Sequence, residues 1–181
     1  MRRMCVTTRK ANGFALIDLV FVCGIIGLIS TIALPRLVLA KQAAGAASAI
    51  GTLRTVASSQ LAFALTCGNG FYAPNLPALG TPPPGSNDGF IGPDLAASTT
   101  VQKTSYSFRL EGVPFAGAPP TCNGLNAGEA AQGYRAAADP LEPDNPRYFA
   151  INANSQLYSH SATLYDDMPE VGEPLIGQPI H

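Results

Sequence analysis

The chain has little of what most enzymes are built from. Of 181 residues only 13% are charged, there is no tryptophan, and there are two histidines, His160 and His181. That charge content is lean for a soluble enzyme of this size. No CxxC, HExxH, GxSxG or phosphate-loop pattern occurs, so the usual short routes to metal, nucleophile or nucleotide chemistry are absent. His160 stands alone between Ser159 and Ser161 with no second catalytic partner in the pattern. The expectation is therefore a non-enzyme with no cofactor and no metal.

Acid is missing where base is gathered. Arg2, Arg3, Arg9 and Lys10 precede Gly13 with no Asp or Glu among them, and seven basic and twelve acidic residues remain, a balance of −5. An acidic body carries no electrostatic footprint for nucleic acid. The four cysteines fall into two kinds. Cys5 lies in the basic leader and Cys23 in an apolar run, which leaves Cys67 and Cys122 as the one possible pair in the remainder. If that part is exported, a Cys67–Cys122 disulfide follows from the oxidising compartment; otherwise they are two buried thiols.

What is present is a long hydrophobic run. Phe14 to Leu34, FALIDLVFVCGIIGLISTIAL, is 21 residues, and a bilayer core takes roughly 20 in a helix. The cluster of base before it orients the run with its start toward the cytoplasm. Asp18 interrupts it, where a carboxylate costs about 2.5–3.5 kcal/mol at a helix centre and less near an interface. By position alone Asp18 is either a functional charge awaiting a partner or an idle interfacial acid.

The residues Gly13-Phe14-Ala15-Leu16-Ile17-Asp18-Leu19, with Gly27 and Pro35 following in register, resemble the processing motif of type IV prepilins and type II secretion pseudopilins. The resemblance is strong over residues 1 to about 65 and loose beyond. It implies that residues 1–13 are a leader removed by a prepilin peptidase between Gly13 and Phe14, and that the new Phe14 amine is N-methylated. It implies further that Asp18 neutralises the Phe14 amine of a neighbouring copy during filament assembly, a buried charge being tolerated when paired. The family's usual acid is glutamate; Asp18 keeps the charge on a side chain one methylene shorter. Implied partners are copies of the chain and other pilins, the membrane, and an inner-membrane assembly platform with a cytoplasmic ATPase. The implied location is the inner membrane, with the head outside the cytoplasm, and then a periplasmic or surface filament.

The expected fold is α+β: one long helix whose residues 14–34 are transmembrane and filament core, and whose residues 35–67 are amphipathic, packed on a small antiparallel head over 68–181. Ala46, Ile50, Leu53, Ala57, Leu61 and Ala64 form the expected stripe, with Gln60 outside it. At 1.5 Å per residue a helix from Phe14 to Thr66 is roughly 80 Å long. Pro35 removes a donor and predicts a kink, and in such filaments the stretch from Gly27 to Pro35 can unwind. Cys67-Gly68-Asn69-Gly70 offers a left-handed stop. Residues 68–98 read as a loop anchored by Tyr72, Leu76 and Leu79. Strands are expected at Thr104–Leu110, Gly133–Ala138, Arg147–Asn152 and Gln156–His160, the last two joined by a hairpin at Ala153-Asn154-Ser155. The tail from Asp166 reads as loop.

Asp166, Asp167, Glu170 and Glu173, and likewise Asp139, Glu142 and Asp144, follow no defined calcium-loop spacing and read as solvated acids. The choice between a pilus subunit and a secretion pseudopilin stays open. Two other classes compete. Val38-Leu39-Ala40 resembles a signal-peptidase site, so that cleavage before Lys41 would release an exported binding domain, although the run exceeds the usual 7–15-residue apolar region. A membrane-anchored domain that never polymerises is the other.

Overall fold

The computed structural model describes residues 16–180, so Gly13 and Phe14 lie outside the described residues. The chain divides into two compact units, residues 1–41 and 42–181. Helix α1, Leu16–Thr66, runs without a break through Gly24, Gly27 and Pro35. Two short helices follow, α2 (Leu76–Gly80) and α3 (Pro93–Ala96), and then strands β1 (Thr100–Lys103), β2 (Tyr106–Glu111), β3 (Arg135–Pro140), β4 (Tyr148–Asn152), β5 (Leu157–His160) and β6 (Gln178–Ile180). The six strands form one antiparallel meander in sequential order. The architecture is thus α+β, a long N-terminal helix with a sheet head.

In the second unit, α1 is rich in alanine, the best helix former, and small side chains let it lie close on the sheet. Its buried positions are Gly45, Ala46, Ala49, Thr52, Leu53, Val56, Ala57, Ser59, Gln60, Phe63 and Ala64, recurring every three to four residues. A Cβ on Gly45 would sit 3.5 Å from the Tyr106 ring. The expected stripe needs a correction at its end. Leu61 is 51% exposed while Gln60 is fully buried, because the Gln60 amide is paired, as described below, and so can be placed inward.

The helix ends where glycine is required by crowding. The N–H groups of Cys67 and Gly68 both donate to Phe63 O, and Gly70 N–H donates to Ala64 O. Asn69 and Gly70 take the left-handed conformation (φ +52° and +90°). Gly68 does not, yet a Cβ there would come within 2.2 Å of Phe71 O.

Tyr106, Phe108 and Leu110 share the buried face of β2, as their alternation predicts. The strand starts later than expected, because Thr104 and Ser105 form the tight β1–β2 turn with φ of +48° and +65°. Without Asn-Gly or Asp-Gly at that turn, β1 carries no hairpin signal. The β4–β5 hairpin forms as expected, with Ser155 N–H donating to Asn152 O at 2.8 Å. The loop read over 68–98 contains α3 and α2, the latter capped by the Asn75 side chain, which accepts from Ala78 N–H. Leu76 and Leu79 are buried, and Tyr72 meets Tyr134 edge-on at 5.1 Å.

The tail is also more ordered than its composition suggests. Residues 161–177 fold back over the sheet face opposite α1, where Leu164 and Met168 pack on Ala137, Ala150 and Tyr158. The small Ala137 and Ala150 leave room for this strap, and β6 then pairs with β5. The loop reading of the tail from Asp166 is corrected on this point. Proline and acid hid a short edge strand, which tolerates proline because its outer N–H is unneeded.

Candidate functional site

The described residues of the first unit form an uncovered apolar surface. Every described residue from 16 to 41 is exposed except Ser30, which is half-buried. Exposed side chains include Leu16, Ile17, Val20, Phe21, Ile25, Leu28, Ile29, Ile32 and Leu37. Monomeric soluble proteins rarely present so large a continuous apolar surface. The helix is long and apolar enough to cross a membrane.

Its hydroxyl groups bond back to the helix. The Ser30 hydroxyl donates to Ile26 O at 2.7 Å and the Thr31 hydroxyl to Leu28 O at 2.8 Å, so neither would be left unsatisfied away from water. Pro35 supplies no N–H to the carbonyl of Thr31 four residues back. A Cβ at Gly24 or Gly27 would meet nothing within 4 Å. Both glycines therefore lie open on the helix, where small residues permit a neighbouring helix to approach closely. Asp18 lies on α1 and is exposed. Cys23 is an exposed free thiol.

In the second unit, Cys67 and Cys122 form a disulfide, with Cα atoms 4.9 Å apart and a sequence separation of 55. It ties the end of α1 to the long connection between β2 and β3, beside the backbone bond from Cys122 N–H to Cys67 O. Nearby, the buried Asn123 donates to Ala78 O and Thr81 O, which holds the end of α2. Neither Asn123 nor Gln60 carries a sequence pattern that marks it as buried.

The acids considered for calcium are spoken for or dispersed. Asp139 pairs with Arg109 and accepts from Thr163. Glu170 accepts from Val113 N–H. Among the described residues no three His, Cys, Asp or Glu side chains converge. Between the sheet and the strap, Glu111 pairs with Arg135 at 2.8 Å and accepts from the Tyr165 hydroxyl at 2.8 Å. The Arg135 guanidinium, followed by the Tyr165 hydroxyl, holds the Glu111 carboxyl below the ordinary glutamate range. The Arg109 guanidinium lies 3.8 Å over the Tyr165 ring, a cation–π contact that fixes the strap to β2 and β3.

Geometry and chemistry together mark the N-terminal helix as the candidate site. No family model, curated protein or solved structure matches the chain.

Proposed function

We propose that the chain is a pilin-like structural subunit, anchored in the membrane as a single-pass precursor and assembled into a filament through its N-terminal helix. The observation that carries this reading is the spacing of Gly13, Phe14, Asp18, Gly27 and Pro35 in the sequence, together with the uncovered apolar surface of α1 from Leu16 onward. An exposed apolar helix is stable in lipid or against copies of itself, and not in water. Asp18 is the one charge in the run. Pairing with the amine of Phe14 on a neighbouring copy would make its transfer from lipid to a filament core favourable. Head-to-head contacts of the heterologous kind would then extend the helix of subunits without closing. Prepilin peptidase, an assembly platform and a cytoplasmic ATPase are the partners this reading calls for, in a type IV pilus or a type II secretion pseudopilus.

One observation favours a second reading, an exported soluble domain. All buried positions of α1 lie at or after Gly45, so cleavage before Lys41 would leave the head's own core intact.

The mass of the mature N-terminal peptide, taken from membrane and sheared-surface fractions, separates the two. N-methylated Phe14 in the sheared fraction is the expected result. A terminus at Lys41 would overturn the filament reading.

A further inference from the structure

The two halves of the Cys67–Cys122 bridge sit in different surroundings. Cys67 is 4% exposed and belongs to the main core of the head. It directly follows α1, its N–H donating to Phe63 O at 2.9 Å and its carbonyl accepting from Cys122 N–H at 3.1 Å. Cys122 is exposed. The turn that carries it alternates inward and outward. Thr121 and Asn123 are buried, the Thr121 hydroxyl bonding Asn123 Oδ1 at 2.7 Å and the Asn123 amide donating to Ala78 O at 2.8 Å. Pro120, Cys122 and Gly124 are exposed, and a Cβ on Gly124 would meet nothing within 4 Å. From Ala118 to Gly124 no side chain is charged, so no charge on this stretch repels an approaching thiolate.

A thiolate opens a disulfide by attacking one sulfur while the other leaves. To attack Cys67 it would have to enter the core; to attack Cys122 it would not. The sulfur that leaves is then Cys67. Its negative charge would appear in apolar surroundings at the carbonyl end of α1, and both oppose it. Access and leaving ability therefore conflict, because the reachable sulfur is bonded to the poorer leaving group. Such a bridge is slow to open from outside and is reached through one cysteine.

We infer that Cys122 is the site at which a dithiol oxidoreductase of the oxidising compartment engages this chain, and that Cys67 is the resolving cysteine. In bridge formation the Cys122 thiolate attacks the enzyme's disulfide, giving a mixed disulfide with one enzyme sulfur and releasing the other as a thiolate. Cys67, deprotonated, then attacks the Cys122 sulfur; the bridge forms and the second enzyme sulfur leaves as a thiolate. The chain loses two electrons and two protons, and the enzyme's disulfide becomes a dithiol. Reduction follows the same path backward. The inference rests on the reading that the head is exported, whereas the purified chain reports the attacked sulfur whatever compartment the head occupies.

The oxidised full chain in maltoside micelles, its free thiols blocked with N-ethylmaleimide, is mixed with an excess of a thioredoxin whose resolving cysteine is replaced by serine. The reaction is quenched at intervals with iodoacetamide, and peptide mass mapping locates the thioredoxin adduct and the released thiol. The expected result is adduct on Cys122 with the iodoacetamide label on Cys67, exceeding the reverse pattern by more than about tenfold. A parallel sample receives sulfite, a small nucleophile that splits a disulfide into one S-sulfonate and one thiolate; it should add to Cys122 as well. Adduct on Cys67, or on both cysteines alike, overturns the proposal. So does sulfite addition without a thioredoxin adduct, which would show a bridge open to small ions only, and so does inertness toward both.

Discussion

The side-chain amide of Gln60 closes both backbone hydrogen-bonding groups of Ala73: Nε2 donates to Ala73 O at 2.8 Å, and Oε1 accepts from Ala73 N–H at 2.9 Å. Both residues are fully buried. The chain after α1 reverses and passes back beneath the helix, and at Ala73 it has no strand partner. Gln60 stands in for one. Gln60→Leu should therefore destabilise the head by about 2–4 kcal/mol, since two buried backbone groups lose their partners. Urea unfolding followed by tyrosine fluorescence would measure it, and a loss under about 0.5 kcal/mol would show that water replaces the amide.

Two leucine positions on α1 should respond differently to the same change. Leu53 is 1% exposed, and Leu53→Ala should cost about 2–5 kcal/mol. Leu61→Ala should stay within about ±0.5 kcal/mol in the isolated subunit, as is usual for exposed sites. Thermal unfolding of the two variants side by side checks the orientation of the helix on the sheet. Similar losses would mean that α1 is rotated from the arrangement described.

Reducing the Cys67–Cys122 bridge should lower stability by roughly 3–4 kcal/mol in the loop-entropy account. Denaturation with and without reductant gives the difference, and Cys122→Ser with no added reductant should reproduce it. Since Cys23 is not in the bridge, Cys23→Ser should leave the reductant response unaltered.

The strap latch should make the head sensitive to acid. Arg135, and after it Tyr165, depresses the Glu111 carboxyl in the folded state, so its contribution is present above the unfolded glutamate value of about 4.3 and is lost as pH falls through the folded value. The side chain is 45% exposed, so solvent screening keeps the effect small. Wild type should lose stability more steeply than Glu111→Gln below pH ~4.3. Parallel stability–pH curves would remove Glu111 from the latch.

For the filament, the decisive variant is Asp18→Ala. Removing the one charge from the run leaves membrane insertion intact or improves it, because a carboxylate near the bilayer is costly. Assembly should be abolished or greatly reduced. Normal filament yield with Asp18→Ala would sink the charge-pairing account while leaving membrane anchoring untouched.

Periodicity and composition made some of the structure legible. The alternation of Tyr106, Phe108 and Leu110 predicts the inner face of β2, and the turn after Asn152 predicts the β4–β5 hairpin. Other features left no local trace. β1 is joined by a Thr-Ser turn with positive φ at both residues, a conformation those residues seldom adopt. β6 is three residues long and holds Pro179.

By itself the sequence determined the length and apolar character of the first helix, the position of its single acid, and the identity of the one cysteine pair available to the head. These are properties of neighbouring residues, governed by helix periodicity and by the cost of placing charge in hydrocarbon. Only the tertiary structure decided that Gln60 rather than Leu61 turns inward at the end of the α1 stripe, and that the tail covers the second face of the sheet. The reason is that a polar side chain can be buried only when a partner distant in sequence satisfies it. For Gln60 that partner is Ala73, which becomes its neighbour only once the chain has folded.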